Sequence, residues 1–120
     1  MRSLLKYWVP LYVYAGFIFY LSSVPRALPD IGIPFLDKIL HVCGYAVFGL
    51  IASRAFRNSS RKVFLENFKI FAILVSIAYG ISDEFHQALV PGRQFSIFDM
   101  IADGIGGVIG VFAYGRYHSI

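Results

Sequence analysis

The sequence predicts an all-α fold: a four-helix transmembrane bundle with both termini cytoplasmic. Three observations carry this. The chain is 58% hydrophobic with a mean hydropathy of +0.65, too apolar for an ordinary soluble domain. Its apolar residues fall into four blocks joined by polar connections, and a membrane helix needs about 20 mostly apolar residues. Its basic residues flank those blocks unevenly, as membrane topology signals do. A chain of 120 residues reads as one integral membrane domain.

The first block, Tyr7 to Val24, holds no charge over 18 residues and predicts a helix over about 4–24. Arg2 and Lys6 before it resemble the start of a signal peptide, but no small-x-small cleavage site stands near Leu21-Ser22-Ser23-Val24. Further apolar blocks follow, so the segment reads as a retained helix. The second block, Ile39 to Ser53, follows a Pro34 turn and predicts a helix over about 38–56. The third starts uncharged at Ile70, runs through Asp83 and Glu84 to Val90, and predicts about 68–88. The fourth follows the Pro91-Gly92 turn, with Asp103 its one charge between Met100 and Gly115, and predicts about 97–115. Its Gly106-x-x-x-Gly110 pair suits close helix approach and is the expected surface for a homo-oligomer.

Four spans put Arg2, Lys6, Arg54, Arg57, Arg61, Lys62, Lys69 and Arg116 on one side and Arg26, Lys38 and Arg93 on the other. The positive-inside rule makes the richer side cytoplasmic. This places the protein in a bacterial-type cell membrane as a multi-pass chain. Bases that flank apolar blocks argue against a nucleic-acid partner, and the basic run Arg54 to Lys62 reads as a topology signal touching anionic lipid heads. The single Cys43 excludes an internal disulfide.

Six of the seven acids, Asp30, Asp37, Asp83, Glu84, Asp99 and Asp103, sit at or just inside the ends of the apolar blocks. Carboxylates there are costly to bury and need partners. Asp37, His41 and Tyr45 follow i, i+4, i+8, with Lys38 adjacent; Gly80, Asp83, Glu84 and Gln87 share a second face; Asp99, Asp103, Gly106 and Gly110 share a third. Counted from the inner helix ends, His41, Asp83 and Asp99 rise about 22–24 Å and Asp103 about 16 Å. The polar groups therefore converge near the outer face, where Lys38, Arg93 and His41 are the counter-charges. Structural roles compete with functional ones. Asp37 can cap its helix, and Ser96-Ile97-Phe98-Asp99 fits a capping box. Asp83-Glu84 at a helix end resists that reading, because the helix dipole disfavours acids there.

Asp37-Lys38-x-x-His41-x-x-x-Tyr45, Ser82-Asp83-Glu84-x-His86-Gln87 and Pro91-Gly92-Arg93-x-x-Ser96-x-x-Asp99-x-x-Ala102 resemble the three signatures of the VanZ-like membrane proteins. Ser22-Ser23-x-Pro25 fits as well, so the resemblance runs from the first helix to the last. It departs at Asp103, where the family pattern leads one to expect Asn. The resemblance implies four helices, a role near the outer cell envelope and low-level resistance to teicoplanin, a lipid-tailed glycopeptide. It supplies no reaction, and the sequence leaves open whether the protein is an enzyme.

Four chemistries fit these residues. In the first, Lys38 and Arg93 hold the phosphate or carboxylate of a membrane lipid, a lipid-linked envelope precursor or the lipoglycopeptide itself. His41, Asp83 and Glu84 then orient it or act as acid and base, with Asp37, Tyr45, Gln87, Asp99 and Asp103 completing the binding surface. In the second, a divalent metal takes Asp37 and His41, with Asp83, Glu84, Asp99 and His86 as additions; otherwise no cofactor is expected. The third is a proton-coupled transporter or flippase using Asp103. The fourth is a non-enzymatic helper that recruits another membrane protein.

Overall fold

The structure is a computed structural model that describes residues 4–23, 36–91 and 95–117. Among the described residues the chain is all-helical. A π-helical turn, Leu4–Trp8, leads into α1, Val9–Ser23; α2 is Leu36–Arg57, α3 is Lys62–Glu66, α4 is Phe68–Ala88 and α5 is Ile97–Tyr117. Three helices are long and apolar enough to cross a membrane: Leu4–Ser23, Leu36–Arg57 and Ile97–Tyr117. The 21-residue α4 stands outside that group, because Lys69 opens it and Asp83, Glu84, His86 and Gln87 close it. The short α3 lies where the sequence suggests only a connecting loop, and its Lys62 and Glu66 pair at 3.6 Å across one exposed turn.

Local chemistry sets the helix ends. Pro10 lacks an N–H and cannot donate to the Lys6 carbonyl one turn back. That carbonyl accepts instead from Arg54 Nη1 at 2.8 Å, and the π-helical turn falls at this step. Leu89 and Val90 donate to the His86 and Gln87 carbonyls, closing α4 just before Pro91. The Ser96 hydroxyl accepts from the Asp99 N–H at 3.2 Å, so Ser96 caps α5 as its sequence suggests.

Phe56, Phe68 and Tyr114 fill the core toward the basic end, whereas α4 and α5 are mostly small or polar inside and apolar outside along the rest of their length. On α5, Ile97, Ile101, Ile105, Ile109 and Phe112 are exposed, while Asp99, Ala102, Asp103, Gly106, Gly107 and Gly110 are buried. On α4, Ile70, Leu74, Ile77, Ile81 and Phe85 face out, and Ala72, Ser76, Gly80, Asp83, Glu84 and Gln87 face in. Side chains of this kind reverse the pattern of a water-soluble domain and suit a lipid surround.

Glycine fixes the tightest contact, between α2 and α5. A Cβ at Gly110 would collide with the Ala46 carbonyl, one at Gly106 with the Val42 carbonyl, and one at Gly49 with the Gly107 carbonyl. Gly107 also meets Ser76 of α4. These glycines are therefore taken up by packing within the chain.

Cross-helix pairs give the directions. Asp103 meets His41 and Gly106 meets Val42, so α2 and α5 run parallel. Gly80 meets Asp103 and Lys69 meets Gly115, so α4 runs against α5. Tyr79 donates to the Ala15 carbonyl at 2.5 Å and Ser22 to Asp83, so α1 runs with α4; Tyr14 donates to the Gly44 carbonyl at 2.7 Å and Arg54 to the Lys6 carbonyl, so the first helix runs against α2. Lys6, Arg54, Arg57 and Lys69 therefore gather at one end with the start of α1 and the close of α5. Asp37, Asp83, Glu84 and Asp99 gather at the other.

Candidate functional site

At the acid-rich end, α2 presents Asp37, His41 and Tyr45, each four residues from the next along one face, with Lys38 beside Asp37. α5 presents Asp99 and Asp103, one turn apart. Lys38 Nζ sits 2.5 Å from Asp99 Oδ1 and 3.2 Å from Asp37 Oδ2. His41 Nδ1 lies 2.6 Å from Asp103 Oδ1. Its other nitrogen, Nε2, faces Asp37 at 3.7 Å and Asp99 at 3.8 Å. His41 thus hydrogen-bonds a deep carboxylate through one nitrogen and turns the other toward two shallower ones.

Exposure orders the group. It falls from 48% at the Asp37 side chain through 36% at Lys38, 13% at His41 and 9% at Asp99 to 0% at Asp103. The network opens at Asp37 and Lys38 and closes at Asp103.

Asp83 and Glu84, adjacent in sequence, serve different interfaces, because neighbouring helical residues point about 100° apart. Asp83 takes hydrogen bonds from the Ser22 hydroxyl and, at 3.2 Å, from the Tyr45 hydroxyl. It binds α1 to α2. Glu84 accepts from the Ser96 N–H at 3.0 Å and reaches the His41–Asp103 group. His86 pairs with the Ser23 hydroxyl at 2.8 Å and stacks on Phe19, which holds the end of α1. Gln87 is buried. Arg93 lies outside the described residues.

The structure thus unites His41, Glu84 and Asp103 and adds Asp37, Lys38 and Asp99 at the opening. It assigns Asp83 and Tyr45 to a neighbouring network with Ser22. Two sets of ligand atoms lie close enough for a cation: Asp37, His41 and Asp99, and His41, Glu84 and Asp103. The sequence reading missed Ser22 and Ser23 as partners of Asp83 and His86. The signal was there: two adjacent hydroxyls at the end of an otherwise uncharged helix need acceptors. A shallow groove of about 250 Å³ along Leu4, Trp8, Arg61 and Phe64 lies at the basic end, far from this chemistry.

Three apolar helices and an inward-facing ionic network define a helical membrane protein. The chain belongs to the VanZ/LLP1 family, whose model matches residues 3–118. No curated protein and no solved structure matches it.

Proposed function

We propose that the chain is a multi-pass cell-membrane protein with α1, α2, α4 and α5 as its four spans. Its acid-rich end binds the anionic headgroup of a lipid-linked or lipid-tailed envelope molecule. The observation that carries this reading is the exposure gradient from Asp37 to Asp103: an ionic network opens at one end of an apolar bundle, at the depth where headgroups lie. The exposed isoleucine and phenylalanine stripe on α4 supports its place as the fourth span. The 44 Å long dimension agrees with a bilayer of about 40–45 Å including headgroups. The positive-inside rule assigns the basic end, with both chain ends, to the cytoplasm, so the site opens outward.

Lys38 is the entry group. It is partly exposed, has three donors, and holds Asp99 deep in the site and Asp37 at the surface. An incoming phosphate or carboxylate replaces Asp37, the more solvated partner, while Asp99 keeps the ammonium in place. Arg93, in the α4–α5 connection by sequence, supplies the second cation. Retention of such molecules gives low-level teicoplanin resistance.

The test is glycopeptide susceptibility in a sensitive host carrying wild type, empty vector, Lys38→Ala, His41→Ala or Arg93→Ala at matched membrane levels. Protection against teicoplanin but not vancomycin, lost in the variants, supports the reading. Protection that survives all three changes overturns it in favour of a helper that recruits another membrane protein.

A further inference from the structure

We propose that His41, Glu84 and Asp103 form a binding site for a divalent transition-metal cation between α2, α4 and α5. Each residue comes from a different helix, and one ligand atom from each lies within 4.8 Å of the others. Glu84 and Asp103 have no exposed surface. The set differs from the one expected from sequence, since Asp83 turns to Ser22 and Tyr45 and His86 to Ser23.

The observation that points to a ligand is Asp103 Oδ2. Its partner oxygen Oδ1 meets His41, but Oδ2 is buried with no hydrogen-bond partner. A buried carboxylate oxygen needs a proton donor or a cation. Oδ2 faces α4 at Gly80, where an added Cβ would stand 3.3 Å from it. Glycine at position 80 lets Asp103 pack directly against α4, and Glu84 follows Gly80 by one helical turn on the same face, so the two carboxylates adjoin.

The donor set fits the ion class. Two carboxylates and one imidazole suit an intermediate divalent ion such as Mn²⁺ or Zn²⁺ better than the all-oxygen cages of Ca²⁺ or Mg²⁺. Two formal negative charges in a low-dielectric interior are offset by the ion's two positive charges. With Nδ1 turned to the metal, His41 presents Nε2 to Asp37 and Asp99, as ligating histidines present their second nitrogen to a carboxylate. The outer grouping of Asp37, His41 and Asp99 is a poorer candidate, because the Lys38 ammonium already lies against both of its carboxylates.

This inference is independent of the headgroup reading, since it is tested in a non-ionic detergent with no anionic lipid or glycopeptide added. The purified full chain in detergent is stripped with chelator and titrated with Mn²⁺, followed by electron paramagnetic resonance. One tightly held Mn²⁺ per chain is expected, with nitrogen coupling from an imidazole. His41→Ala abolishes the coupling. Asp103→Asn and Glu84→Gln each weaken binding by roughly tenfold or more, whereas Asp83→Asn leaves it unchanged. Wild type binding no tighter than Asp103→Asn, an absent nitrogen coupling, or an equal loss in Asp83→Asn overturns the proposal. If the variants fail to fold, wild-type stoichiometry and nitrogen coupling decide it.

Discussion

Asp103 has no exposed surface and meets His41 at 2.6 Å. Removing the imidazole leaves a buried carboxylate without its nearest counter-charge, a loss of about 3–5 kcal/mol for a broken buried pair. His41→Ala therefore lowers stability by about 3 kcal/mol, read as the midpoint of unfolding in detergent. Asp103→Asn costs less, because it removes the buried charge and keeps a polar group beside His41. Equal losses in the two variants would show that shape, and not charge, holds the pair. Their partnership was only half legible. Both residues read as inward-facing from helical spacing, but 62 positions separate them, and no local pattern states which helix face meets which.

Among the elements, α5 depends on the absence of side chains. Gly110→Val forces α2 and α5 apart, because a Cβ there meets the Ala46 carbonyl and backbone cannot yield as a flexible side chain does. Overpacking of this kind costs roughly 1–3 kcal/mol. Gly16→Ala, with nothing within 4 Å, leaves unfolding unchanged or slightly delayed, so the pair of variants separates packing from propensity. The sequence marked the glycine stripe for close approach. It did not show that the partner was α2 of the same chain. At the other flank, α1 is held through polar ties: Tyr14 to Gly44, Tyr79 to Ala15, Ser22 to Asp83 and Ser23 to His86. The double variant Tyr14→Phe, Tyr79→Phe removes two bonds worth about 1 kcal/mol each. Amide exchange then accelerates in α1 ahead of α5; equal acceleration in both helices would mean that α1 is not a separately loosened element.

For the whole molecule, charge is segregated end to end. Lys6, Arg54, Arg57 and Lys69 share one end with the start of α1 and the close of α5, and Asp37, Asp83, Glu84 and Asp99 share the other. Four spans and the positive-inside rule make a sharp labelling prediction. With Cys43→Ala removing the native thiol, a Ser59→Cys variant resists an impermeant maleimide in intact cells and reacts after permeabilisation. Labelling of intact cells would reverse the orientation and put the acid-rich site on the cytoplasmic side.

The helical segments, their apolar character and the inward-facing set of polar residues follow from the sequence, because hydropathy and helical spacing are local properties of a chain. The family follows from the same polar signatures. Which acid meets which base was decided only by tertiary structure. Asp83 and Glu84 read as one pair, yet helical rotation sends one to Ser22 and Tyr45 and the other toward His41 and Asp103. Lys38 read as a counter-charge for the clustered acids without a stated partner, and the fold gives it Asp99 and Asp37. Such pairings depend on the relative rotation and depth of packed helices. Those are set by glycine contacts between segments tens of residues apart, which a one-dimensional pattern does not encode.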